Sequence, residues 1–169
     1  HTRYWRDWSS DVCSSDLDKY MGDWKDDAKN GKGTMIWTDG TKYIGDWKDG
    51  NANGKGTYIW PEGDKYVGEF KDGAKTGKGT MIWTDGKKYM GQVVNGKANG
   101  KGTMIWPYGA KYVGELKDGA INGKGTLYYK NLEFIGTWKD SKYYSPDGKM
   151  KGKSVADLKK LADKQKMFR

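Results

Sequence analysis

The sequence predicts an all-β chain, an elongated single-layer antiparallel meander of stacked hairpins that ends in a short C-terminal capping helix. Three observations carry that prediction. Tyrosines stand at Tyr20, Tyr43, Tyr66, Tyr89 and Tyr112, each 23 residues after the last, and each opens a Tyr-x-Gly-x block that is followed by Gly-Lys-Gly-Thr. Each block holds two stretches of alternating residues separated by residues that tolerate positive φ, the pattern of a β-hairpin. Finally, a unit this short cannot bury a hydrophobic face alone and must stack on copies of itself.

Residues 1–17, HTRYWRDWSSDVCSSDL, stand outside the pattern. They resemble a translated sequencing adapter and are set apart as a non-native leader, as fusion scars should be. The chain's only histidine, His1, and only cysteine, Cys13, fall in that leader. Residues from 18 onward therefore offer no Cys/His zinc site, no thiol nucleophile, no Ser-His-Asp triad and no disulfide. With a leader of this kind the compartment is unknown from sequence, a cytoplasmic or membrane-peripheral setting being favoured.

The repeat array is expected over residues 18–141, with five full copies and a partial sixth in which Phe134 takes the tyrosine place one residue early. In the second copy, Lys42 to Lys48 puts Tyr43, Gly45 and Trp47 on one face and Ile44 and Asp46 on the other. Lys55 to Trp60 alternates again, and the stretch Asp49 to Gly54 between them reads as the reversal. Pro61-Glu62-Gly63 turns the chain into the next copy. The register expected for this hairpin sets Trp47 opposite Gly56, Gly45 opposite Tyr58 and Tyr43 opposite Trp60. Glycines would then lie beneath rings of the facing strand, which explains why the strands accept them. A one-residue slip would exchange the faces. At about 4.8 Å per strand, five repeats would span roughly 50 Å.

These residues resemble the MORN repeat (membrane occupation and recognition nexus), whose pattern is Tyr-x-Gly-x-Trp, a further Gly, then Gly-x-Gly. The resemblance covers residues 18–132 and implies hairpin arrays used for protein contacts, for dimerisation or near membranes. Departures are visible: Phe70, Val93 and Leu116 replace the Trp of Trp24 and Trp47, Gln92 replaces the acid, and Asp27 replaces a turn glycine. The structural stripe and candidate interaction surface is Tyr20, Trp24, Trp37, Tyr43, Trp47, Trp60, Tyr66, Phe70, Trp83, Tyr89, Trp106, Tyr112 and Trp138.

Residues 142–169 read as a basic cap. Tyr143 to Met150 forms a degenerate last hairpin. A helix follows near 154–167, opened by an approximate capping box of Ser154 and Asp157, with Val155, Leu158, Leu161 and Ala162 on one face. Charge is uneven. The net charge is +9, of which residues 18–141 carry +4 and residues 142–169 carry +6. Lys149, Lys151, Lys153, Lys159 and Lys160 are the candidate contacts to an anionic surface.

Several motifs are weaker than they look. Asp49-x-Asn51-x-Asn53-Gly54 opens like a calcium loop, but Trp60 stands where a bidentate Glu is needed. Gly50 to Gly54 is one residue short of a phosphate loop, and Gly56 replaces its hydroxyl residue. The +4 body is a weak field for nucleic acid, so none is expected as a partner. Carboxylate catalysis through Asp23 and Asp46 has no singular, convergent arrangement behind it. No apolar run approaches the roughly 18 residues of a membrane span. The expectation is a non-enzymatic scaffold with no cofactor, no metal and no small-molecule substrate. It would bind a protein partner or itself, with peripheral attachment to anionic membranes. The alternative is an aromatic-stripe carbohydrate- or choline-binding cell-wall module.

Overall fold

The structure, a computed structural model, describes residues 17–165, so the proposed leader lies outside the described residues except for Leu17. Thirteen strands follow one another in chain order as a single open antiparallel sheet, with one helix at the C-terminal end. The all-β meander expected from the repeats is the fold observed. The chain divides into two compact units, the first ending at Thr84 and the second beginning at Asp85.

The first unit contains three hairpins: β1 (Lys19–Lys25) with β2 (Ala28–Ile36), β3 (Lys42–Lys48) with β4 (Asn51–Ile59), and β5 (Lys65–Lys71) with β6 (Ala74–Ile82). Successive hairpins are themselves paired, β2 on β3 and β4 on β5. The second unit continues with β7 (Lys88–Val94), β8 (Lys97–Ile105), β9 (Lys111–Lys117), β10 (Ala120–Tyr129) and β11 (Leu132–Lys139). Its last elements are β12 (Lys142–Tyr144), β13 (Lys151–Lys153) and α1 (Val155–Gln165).

The hairpin β3–β4 differs from the expected one in two linked ways. Its turn is only Asp49-Gly50, with φ of 49° and 85°. Both central residues are left-handed, as a two-residue type I′ turn requires, and β4 begins at once with Asn51. The register accordingly sets Tyr43 opposite Tyr58, Gly45 opposite Gly56 and Trp47 opposite Ala52. Tyr43 and Gly45 are two residues from their expected partners and Trp47, beyond the register shift, is four from its own; both shifts are even, so the faces stay as assigned.

Asn53 and Gly54, the end of the stretch read as the turn, form with Lys55 a bulge in β4 opposite Asp46. Gly54 takes a φ of 107° there. The Lys55 amide N–H, turned out of the ladder, donates to the Asp46 carboxylate at 2.9 Å. The same capping recurs with Asp23 on Lys32, Glu69 on Lys78, Gln92 on Lys101 and Glu115 on Lys124. This accounts for the acidic or amide residue that directly follows each tyrosine-block glycine: a ladder amide freed by a bulge takes it as its acceptor.

The core is one face of the sheet. Tyr66, Tyr89 and Tyr112 are 0% exposed and Tyr43 is 1%. The Tyr43 ring lies on the backbone of Gly56, where an added Cβ would meet ring atoms at 2.5–2.6 Å. Its hydroxyl donates to the Asp46 carbonyl at 2.8 Å. Trp47 and Phe70 close on its edges, with ring centroids 5.0 and 4.9 Å away. Tyr20, Tyr66, Tyr89 and Tyr112 donate in the same way, at 2.6–2.9 Å, to the carbonyls of Asp23, Glu69, Gln92 and Glu115. Rings over glycine are thus present as expected, but each tyrosine covers a glycine of its own hairpin at the register described here, and Gly45 meets the hydroxyl of Tyr43, not the ring of Tyr58. Burial, and then the neighbouring carboxylates, push the hydroxyl pKa of Tyr43, Tyr66 and Tyr112 up to about 12.

At the C-terminal end, β12 and β13 pair through the Ser145–Met150 turn. The helix α1 opens on the capping box read from sequence: the Ser154 amide donates to Asp157, and the Asp157 amide donates to Ser154 Oγ. Leu158 and Ala162 are buried against the sheet, but Leu161 is 40% exposed. The apolar face is therefore narrower than expected, because a stripe spaced at i and i+4 suffices to reach β10 and β13.

Candidate interaction surface: two rows of rings

The stripe read from sequence separates into two rows with different physical roles. The inner row comprises Tyr43, Tyr66, Tyr89 and Tyr112 with Trp47, Phe70, Val93, Leu116 and Trp138, all buried. Trp47 and Trp138 each donate their indole N–H to a glycine carbonyl of the preceding hairpin, Gly33 at 3.1 Å and Gly125 at 3.3 Å. Phe70, Val93 and Leu116 fill the same place without a donor. This row is packing, and a ligand has no access to it. Tyr20 and Trp24, on β1, are part-exposed, and Trp24 Nε1 finds no acceptor among the described residues.

The outer row sits where each hairpin ends and the chain turns into the next. Trp37, Trp60, Trp83 and Trp106 occupy it, each part-exposed. Trp60 and Trp106 anchor their turns through the backbone, Trp60 N–H to Asp64 and Trp106 N–H to Ala110, both at 2.9 Å. In the first unit Tyr58 stands between Trp37 and Trp60, with centroids 5.9 and 4.9 Å away. In the second, Trp106 stacks on Tyr108 at 6.5 Å, and Tyr108 meets Tyr129 edge-on at 6.1 Å.

Tyr58, Tyr108 and Tyr129 were missed in the sequence reading, as were the lysines that lie over these rings. Counting on by 23 from Trp106 reaches Tyr129, so its membership of the row was legible. Lys75 Nζ lies 3.8 Å from the Tyr58 ring centroid and 4.9 Å from that of Trp60. Lys29 Nζ lies 5.1 Å from the Trp47 ring and 5.5 Å from Tyr20. Such cation–ring contacts strengthen as water is excluded. No local pattern reveals the contacts of Lys75 with Tyr58 and Trp60 or of Lys29 with Trp47, because lysine and ring there belong to different hairpins.

The opposite face is exposed. Met21, Ile44 and Val67 in the first unit, and Met90, Val113 and Ile135 in the second, are 42–59% exposed. Lys32 pairs with Asp46 on that face. The candidate tail lysines differ among themselves. Lys151, Lys153 and Lys160 are exposed, and Lys149 lies 3.6 Å from Asp147. Lys159 is drawn inward, 2.9 Å from Asp163 and over the rings of Tyr108 and Tyr129.

The tempting chemical motifs are occupied structurally. Asp23 and Asp46 each accept a bulge amide. Asp49 and Gly50 form the hairpin turn. Among the described residues no group of three or more His, Cys, Asp or Glu could hold a metal ion, and no helix is long and apolar enough to cross a membrane. The surface hollows, such as that lined by Asp23, Lys25, Asp46 and Asp49, are open to solvent.

A family model for the MORN repeat matches five copies, at residues 20–42, 43–65, 66–88, 89–110 and 112–132. This chain belongs to the MORN repeat family. No curated protein matches it in sequence. The MORN boundaries begin at each ring-over-glycine tyrosine, so one family repeat is one hairpin plus the turn that carries its outer-row tryptophan. The MORN signature is thereby a statement about backbone: the Tyr and the second Gly of Gly-Lys-Gly form one contact, and the first Gly and the acid form the other.

Proposed function

We propose that this MORN array is a non-enzymatic scaffold that holds a protein partner or a second copy of itself, with its basic end attaching it peripherally to anionic membranes. Residues 18–141 form the array in this reading, residues 142–169 the basic cap, and residues 1–17 a non-native leader. The observation that supports it best is the outer row: large rings are left part-exposed beside lysines, while the inner row is spent on packing. Exposed aromatic residues ringed by charge are the usual anchors of protein interfaces. A sugar or choline would need a ring face free for stacking, and Lys75 already occupies the face of Tyr58, which favours the protein reading.

The test is photo-crosslinking with the full chain in extract of the host cell, the reactive group replacing Trp37, Trp60 or Ile44 in turn. Saturable protein adducts from at least one position are expected. Their absence from all three, with the fold intact by circular dichroism, overturns the scaffold reading.

A further inference from the structure

The second unit contains a worked example of how an outer-row ring is covered. Tyr129 is 6% exposed because α1 lies on it, with Leu158 0% and Ala162 3% exposed. Lys130 Nζ stands 5.0 Å from the Tyr129 ring and is paired to Asp163 of the helix. The Tyr129 hydroxyl donates to the same carboxylate at 3.1 Å. Ring, lysine above the ring, and a helix-borne carboxylate on the lysine thus form one closed arrangement.

The first unit has the same arrangement with its last part missing. Tyr58 and Trp60 supply the rings and Lys75 lies over them. Burial holds the Lys75 ammonium pKa below its usual value. Among the described residues no carboxylate lies within ion-pair distance of it. A partly desolvated cation without a counter-ion is costly, and a partner that supplies the anion recovers that cost. Trp37, beside Tyr58, extends the apolar patch.

We infer that the Trp37–Tyr58–Trp60 patch of the first unit docks an amphipathic helix of a partner protein, seated as α1 is on Tyr129, whose carboxylate pairs with Lys75. The inference rests on the scaffold reading above and names its site and the chemistry of its partner. The helix needs small or aliphatic residues at two positions four apart, as Leu158 and Ala162 are, with the carboxylate next to the second, as Asp163 is. It needs no lysine where Lys159 stands, because Lys75 alone takes the place over the rings that Lys130 and Lys159 share over Tyr129.

The probe is a stapled peptide with the sequence of residues 154–165 carrying Lys159→Glu, since an unstapled helix this short is marginal in water. It is titrated into the full chain while indole N–H resonances are followed by NMR. Saturable shifts at Trp37 and Trp60 are expected. Lys75→Met, which keeps the apolar stem, should weaken binding about tenfold, as should Asp163→Asn in the peptide, the loss of one charged hydrogen bond. The two losses together should not exceed either alone, because they remove the same contact. Binding that Lys75→Met leaves unchanged overturns the inference. So do shifts confined to Trp106 and the surroundings of Tyr129, which would mean exchange with α1, and so does silence up to about 1 mM peptide. Crosslinks from Ile44 in the extract experiment, with none of the titration shifts, sink this site and leave the scaffold standing. No adducts anywhere sink both.

Discussion

Gly56→Ala isolates the contact on which every hairpin depends. The added Cβ would stand 2.5 Å from Tyr43 Cε2 and from its hydroxyl oxygen, and 2.6 Å from Cζ. The ring cannot yield cheaply, since Trp47 and Phe70 hold its edges at 5.0 and 4.9 Å. Overpacking of this kind costs about 1–3 kcal/mol. Displacing the ring also loses the hydroxyl bond to the Asp46 carbonyl, about 0.5–1.5 kcal/mol more. Replacing glycine in a strand returns roughly 0.5–1 kcal/mol. The expected net loss is about 1–3 kcal/mol, read as a fall in the urea midpoint at unchanged slope. Two controls sharpen the result. Gly50→Asn has φ of 85° and open space around it, and should stay within about 0.5 kcal/mol because Asn tolerates that conformation. In a Tyr43→Ala background, Gly56→Ala should cost nothing or stabilise. A loss that persists without the Tyr43 ring, or no loss in the parent, would refute the reasoning.

Trp138→Ala, at a buried ring, should destabilise by about 3–5 kcal/mol, whereas part-exposed Trp60→Ala should cost clearly less and instead weaken partner binding; paired denaturation and crosslinking measurements separate the two. Asp46→Ala should cost about 0.5–1.5 kcal/mol by removing the acceptor of the Lys55 amide, and amide hydrogen exchange at Lys55 should accelerate, with Asp46→Asn intermediate as Gln92 already serves one repeat. High pH should unfold the chain. The hydroxyls of Tyr43, Tyr66 and Tyr112 have folded pKa values of about 12 against 10.0 unfolded, so their stabilisation is complete below pH 10 and is lost as pH rises toward 12. Tyrosinate absorbance should then rise together with the loss of β signal, and independent titration without unfolding would count against the buried-ring picture. Lys151, Lys153 and Lys160 replaced together by Gln should abolish co-sedimentation with phosphatidylserine vesicles at low salt; binding untouched by the triple change would remove the tail from the membrane contact.

The hairpins, their faces, the inter-repeat turns and the capping box were legible because each is set by residues close in sequence. The register was not. Asn51, Asn53 and Gly54 tolerate positive φ equally in a turn and in a bulge, and only Asp46, across the sheet, decides between them by holding the Lys55 amide. The uniform stripe was likewise too coarse. Trp47 and Trp60 share a face, but one lies mid-strand beneath neighbouring hairpins and the other at a strand end, and burial follows that position. Lys75 over Tyr58 joins β6 to β4, a contact no local pattern encodes. Leu161 shows the converse: its helical phase suited burial, yet of α1 only Leu158 and Ala162 are buried.

Glycine α-proton chemical shifts test the central claim most directly, since a proton beneath an aromatic face moves upfield. Gly33, Gly56, Gly79, Gly102 and Gly125 should all be shifted upfield, while Gly50 and Gly119, with nothing near them, should not. Random-coil positions for all five would contradict the seating of each tyrosine ring on its glycine, and the hairpin stack built on it.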